Sequence, residues 1–103
     1  MKAIKIQYTV KAEFADKNAE NISRVMDALR QLNNDDIRYS SFLTDDKKTF
    51  VHFVILKNEE ANNVITGLAP FKTFQAELKA SDPEFPPKVE KLSLVGSSYD
   101  FFL

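Results

Sequence analysis

Apolar and polar residues alternate along the start of the chain: Ile4, Ile6, Tyr8, Val10, Ala12 and Phe14 are separated by Lys5, Gln7, Thr9, Lys11 and Glu13. A period of two belongs to a strand with one apolar side, so a first strand is expected from Ala3 through Phe14. The period then lengthens. Ile22, Val25, Met26, Leu29 and Leu32 fall at steps of three and four, the stripe of an amphipathic helix closing near Asn33-Asn34. Two β-rich runs follow, Ile37 to Leu43 and Thr49 to Lys57, joined by Thr44-Asp45-Asp46-Lys47-Lys48, a polar connection of hairpin length. A second helical stripe of Ala61, Val64, Ile65 and Leu68 meets Gly67 and Pro70 and resumes with Phe71, Phe74 and Leu78. Proline removes an amide donor and clashes with the preceding turn, which predicts two helical pieces meeting at an angle. Ser81 to Pro87 reads as a stiff extended arm leading to a last strand over Lys88 to Tyr99, with Phe101, Phe102 and Leu103 beyond it.

The order strand, helix, strand, strand, helix, strand predicts one α+β domain over 1–103. It is a ferredoxin-like βαββαβ fold, a four-stranded antiparallel sheet with its helices on one face. Right-handed crossovers place both helical segments on the same side and leave the other side of the sheet bare. The third strand, Phe50 to Leu56, is apolar on both of its faces, so whichever set points away from the helices needs a cover. At roughly 25 cal/mol per Å² of apolar surface, leaving three such side chains wet forgoes several kcal/mol. A symmetric homodimer stacking sheet on sheet recovers that energy, and the chain's expected partner is therefore itself.

Composition narrows the rest. Fourteen basic residues against fifteen acidic ones give a net charge of −1, with no block of one sign to recruit nucleic acid or a membrane surface. No stretch approaches the roughly 20 apolar residues of a membrane span. Met1-Lys2 runs straight into the first strand, so no signal segment is expected and the cytoplasm is the default location. The chain has no cysteine and a single histidine, which excludes disulfides, thiolate nucleophiles and a zinc site of ordinary ligands. Only two glycines are present, too few for a phosphate-cradling loop.

The element order over essentially the whole chain, the doubly apolar third strand, the broken second helix with Phe71 and Phe74, and the long last strand together resemble the dimeric α+β barrel superfamily. Within it the chain is similar to antibiotic-biosynthesis-monooxygenase-like domains. The resemblance implies that two sheets close face to face into a barrel and that the last strand reaches across to the other subunit. It also implies an activity class, cofactor-independent oxidation of phenolic or quinol-like aromatics, alongside haem-degrading members that use a helical histidine with asparagine and tryptophan. Here the second helical segment carries Lys72, Thr73, Gln75, Glu77 and Lys79 but no histidine, and the chain has no tryptophan. No catalytic residue transfers, and no bound cofactor is expected.

His52 is the candidate for chemistry, since a pKa of about 6.5 suits a general base. Parity groups it with Phe50 and Val54, expected on the barrel-facing side beside Gln7 and Thr9. The competing reading is a hydrogen-bonded interior histidine. Candidate contacts to a small aromatic ligand are Gln7, Thr9, Tyr39, Phe50, Phe71 and Phe74, the last two also being what any amphipathic helix buries. Two function classes follow: an enzyme oxidising such a ligand, and a binding or purely structural dimerisation module. A third, an RNA-recognition motif, shares the topology, and Phe50 and His52 echo its third strand. It lacks the glycine, the second aromatic and the phosphate-neutralising charge of that motif.

Overall fold

The computed structural model describes residues 1–102. Strand β1 (Lys2–Thr9) is followed by a single 3-10 turn (Ala12–Phe14) and helix α1 (Ala15–Leu32). Next come β2 (Ile37–Leu43), β3 (Thr49–Leu56), α2 (Glu59–Gly67), α3 (Ala69–Ala80) and β4 (Phe85–Leu92). The sheet runs β2-β3-β1-β4 with every neighbouring pair antiparallel, the ferredoxin-like α+β arrangement. Leu103, part of the expected aromatic terminus, lies outside the described residues.

Local chemistry sets the helix boundaries. α1 ends where Asn33 takes the left-handed conformation (φ 50°, ψ 40°) and its N–H turns back to the Arg30 carbonyl, one of the standard helix stops. The Asn58 side chain caps α2 by accepting the Ala61 N–H at 3.0 Å. Pro70 breaks the second stripe as expected: extended Leu68 separates α2 from α3, and the proline sits in the first turn of α3, where no carbonyl requires its missing N–H.

Two strand boundaries differ from expectation. β1 stops at Thr9 instead of Phe14, because the Val10 N–H is taken by the Lys48 carbonyl at 2.9 Å and the chain then turns into the 3-10 segment. The alternation persists only because Val10 is fully buried and Phe14 packs on the core from the turn. β4 begins at Phe85, so Pro86 and Pro87 belong to the strand. They are tolerated there because β4 is an edge strand, and a bulge sets both against Tyr8, between the pairs Gln7↔Lys88 and Thr9↔Phe85. β4 ends at Leu92 instead of Tyr99 because Leu92 pairs with Ala3, and β1 offers no partner beyond Lys2.

All three helices lie on one face, where Tyr8, Phe50, Val54 and Leu56 of the sheet share a core with Ile22 and Val25 of α1, Ile65 of α2 and Phe71, Phe74 and Leu78 of α3. Register fixes the parity. Tyr8 pairs with Phe50 and Ile6 with His52, so the set Phe50, His52, Val54, Leu56 faces the helices, and Val51, Phe53 and Ile55 face the uncovered side. The expected placement of Phe50, His52 and Val54 on the bare, barrel-facing side is therefore corrected. That side instead carries Phe53 and Phe42, 37 % and 57 % exposed, their rings edge to face at 6.0 Å. Phe50 and His52 are buried, so neither offers an open ring to a nucleic-acid base. After β4 the chain reaches the far edge of the sheet, where the Arg38 Nε donates to the Phe101 carbonyl at 3.1 Å and its guanidinium lies over the Phe102 ring.

Candidate functional site

The site grows from a contradiction in the α1 stripe. Counting back four residues from Ile22 and Val25 reaches Asn18 and Asn21, and both are as buried as their apolar neighbours, at 0 % and 2 % exposure. A buried amide must find partners. Asn18 Nδ2 donates to the Tyr8 hydroxyl at 2.9 Å, and Asn21 Nδ2 donates to the Glu77 carboxylate of α3. Each leaves its Oδ1 buried without a partner.

From Tyr8 a polar column crosses the sheet beneath the helices. The Tyr8 hydroxyl meets His52 Nε2 at 2.8 Å, and His52 Nδ1 meets the Tyr39 hydroxyl at 3.1 Å. Three strands supply the column: β1 gives Tyr8, β3 gives His52 and β2 gives Tyr39. The antiparallel register sets all three side chains on one face. Aromatic packing holds the imidazole, with Tyr8 stacked at 5.3 Å, Tyr39 edge-on at 5.7 Å and Phe74 tilted at 5.7 Å.

The electrostatics follow from burial. Desolvation pushes the His52 pKa down to about 4, because no carboxylate accompanies it and a buried imidazolium has no counter-charge. The same cause pushes the Tyr39 phenol up, and the Tyr8 phenol up despite the opposing Asn18 hydrogen bond. All three groups are neutral at pH 7. His52 is thus a hydrogen-bond relay and not a ready base, which alters the chemistry expected of it from its unperturbed pKa.

Tyr39 is the member of the column that lines a cleft of about 1250 Å³ between α1 and β2. Ala19, Ile22, Met26 and Leu29 wall it on the helix side, with Phe50 and Leu43 on the sheet side. The space continues round the β2 edge to Arg38, Phe53 and Tyr99 on the uncovered face, which makes it larger than a site for one small aromatic molecule needs. Among the described residues no group of three or more histidine, aspartate or glutamate side chains is placed to hold a metal ion.

Of the expected site residues, His52, Tyr39, Phe50 and Phe74 come together. Phe71 packs against Phe74 at 5.9 Å as core, one step further from the column. Gln7 and Thr9 are on the opposite face, in a separate recess of about 620 Å³, where Thr9 Oγ1 is hydrogen-bonded to Thr49 Oγ1 at 2.7 Å. They are not neighbours of His52, contrary to the parity first assigned. Tyr8, Asn18 and Asn21 complete the site, and the two asparagines carried a signal in the sequence: polar residues in register with an apolar helical stripe.

No protein-family model and no curated protein matches the sequence. Solved structures do match the fold. A crystal structure of an antibiotic biosynthesis monooxygenase superposes with TM-score 0.76 at 16% identity, covering 93% of this chain and 100% of that one. A Bacteroides thetaiotaomicron protein provisionally named an antibiotic biosynthesis monooxygenase gives 0.82 at 7% identity over 96% and 93%. SnoaB, a cofactor-independent oxygenase from Streptomyces nogalater, gives 0.68 at 11% identity over 96% and 97%. With identity this low and coverage this complete, what is shared is backbone architecture. The chain has the fold of these antibiotic-biosynthesis-monooxygenase-like structures.

Proposed function

We propose that the protein binds a small aromatic molecule carrying an oxygen substituent in the α1/β2 cleft, and that it oxidises a phenolic or quinol-like compound there without a bound cofactor. The observation that supports this is the cleft's composition: apolar walls from Ile22, Met26, Leu29, Leu43 and Phe50, with a few hydroxyls among them, of which Tyr39 is the one backed by His52. Such a site takes up a flat apolar body and fixes its orientation through a small number of hydrogen bonds. Likeness of fold to SnoaB favours oxygenation over other chemistries. The neutral column would orient the ligand oxygen, while electron transfer to dioxygen would be the substrate's own chemistry, as an electron-rich quinol permits.

The working form in this proposal is a homodimer joined through the uncovered faces. Burying the part of Phe42 and Phe53 still exposed, about half of each, would contribute roughly 1 kcal/mol per side chain, from each protomer alike. The same contact would cover the part of the cleft that opens round the β2 edge. The test is oxygen uptake with a panel of reduced naphthoquinols and anthrols, comparing the wild type with His52→Ala. Uptake above background that falls in the variant is expected for at least one compound. Background rates for every compound would reject the oxidase reading and leave a binding module.

A further inference from the structure

The column Asn18, Tyr8, His52, Tyr39 can be filled with protons in two complete ways. In the first, the Asn18 amide N–H and the Tyr8 O–H both point along the chain toward Tyr39. Asn18 Nδ2 donates to Tyr8, Tyr8 donates to His52 Nε2, and His52 Nδ1–H donates to the Tyr39 oxygen. The Tyr39 O–H is then left over, on the residue of the column that lines the cleft. In the second, every bond reverses. Tyr39 donates to Nδ1, Nε2–H donates to Tyr8, and Tyr8 donates to Asn18 Oδ1 after the amide turns over by 180°. The Tyr39 oxygen then has a lone pair left over. Neutral imidazole suits both, since either nitrogen can carry its one hydrogen.

Asn18 permits both states. Its amide has one hydrogen-bonding neighbour in the column, and its other end is buried with no partner, so turning the group exchanges one orphan for another. A column ending in a fixed donor or a fixed acceptor would have only one direction. We infer that Tyr39 is a two-way reader of the ligand's oxygen, donating to a carbonyl and accepting from a hydroxyl, with His52 tautomerism carrying the choice back to Asn18. This rests on the reading of the cleft as an aromatic-ligand site and extends it to a ligand class: aromatics whose oxygen alternates between hydroxyl and carbonyl, the reduced and oxidised members of one pair. Tyr39 is the ligand contact, and His52, Tyr8 and Asn18 are positioning residues acting through it.

Because His52 is the chain's one histidine, 15N-labelled histidine reports on this ring alone. In the ligand-free protein at pH 7 both tautomers are expected in exchange. 1-Tetralone, which can only accept, should drive the ring to Nδ1–H, and 1-naphthol, a strong phenolic donor, toward Nε2–H. Asn18→Leu removes the acceptor that the second state needs. It should weaken 1-naphthol about tenfold, the worth of roughly one hydrogen bond, and leave 1-tetralone within about twofold. A single tautomer in the free wild type, or the same tautomer with both ligands, overturns the two-way column whatever the variant does. Absence of any shift or binding with either probe, in a protein that still shows both tautomers when free, instead rejects the cleft as the ligand site.

Discussion

If the column is as tightly enclosed as its geometry indicates, two chemically identical changes within it should differ in cost. Tyr8→Phe removes one hydroxyl and orphans two groups, Asn18 Nδ2 and His52 Nε2. These residues are 0 % and 1 % exposed, so water cannot replace the lost partner without opening the core. Each unsatisfied buried polar group costs about 1–3 kcal/mol, which puts the variant roughly 2–6 kcal/mol below the wild type. Tyr39→Phe orphans only His52 Nδ1, one buried group instead of two, and should cost about half as much, roughly 1–3 kcal/mol. Urea denaturation followed by far-UV circular dichroism resolves the difference. With a slope of roughly 1–2 kcal/mol/M for a chain this small, the Tyr8 variant should lose more than about 1 M in midpoint and the Tyr39 variant about half as much. Chain concentration must be held fixed across the series, since self-association adds to apparent stability. Equal losses, or a Tyr8 variant as stable as the wild type, would refute the claim that the buried end of the column is dry and mutually satisfied.

Acid should unfold the protein earlier than its carboxylates alone require. The His52 pKa falls from 6.5 to about 4 on folding, so below pH 6.5 the unfolded chain takes up a proton that the folded one refuses. Stability contributed by neutral His52 is therefore complete above pH 6.5 and is lost as pH falls toward 4. The loss between pH 7 and pH 5 is about 2 kcal/mol, and urea midpoints at the two pH values should show it in the wild type and not in His52→Phe. On the uncovered face, the proposed dimer should give twice the monomer mass of 11.8 kDa for the wild type by light scattering and sedimentation, and Phe53→Glu a folded chain at monomer mass. A folded variant that keeps the wild-type mass would remove this face from the proposed interface.

Element type was legible wherever one period dominated. The α1 stripe, the hairpin with its polar turn and the break at Pro70 follow from local spacing and capping chemistry, and the helix ends fall where Asn33, Asn58 and Pro70 place them. Strand ends were not legible in the same way, because a strand ends where its neighbour does. β4 stops at Leu92 for want of a partner beyond Lys2, and two prolines enter it because one of its edges is unpaired, facts about β1 and not about the β4 sequence.

The site was hidden by a related ambiguity. A strand with one polar face declares which side it buries, as β1 does, but β3 has large apolar residues on both sides and gives no parity of its own. Polarity suggested setting His52 beside Gln7 and Thr9. The register sets it opposite Ile6, under the helices, where Tyr8 and Tyr39 supply its partners. The informative residues were instead Asn18 and Asn21, since an amide in step with a buried helical stripe must pair with something across the core. Among the side chains of β1 turned toward α1, Tyr8 is the one with a hydroxyl to offer, and from Tyr8 the cross-strand geometry leads to His52 and on to Tyr39. A polar residue repeated in phase with a helix's apolar face is thus a better pointer to a site in such a sheet than the polarity of a strand that is apolar on both sides.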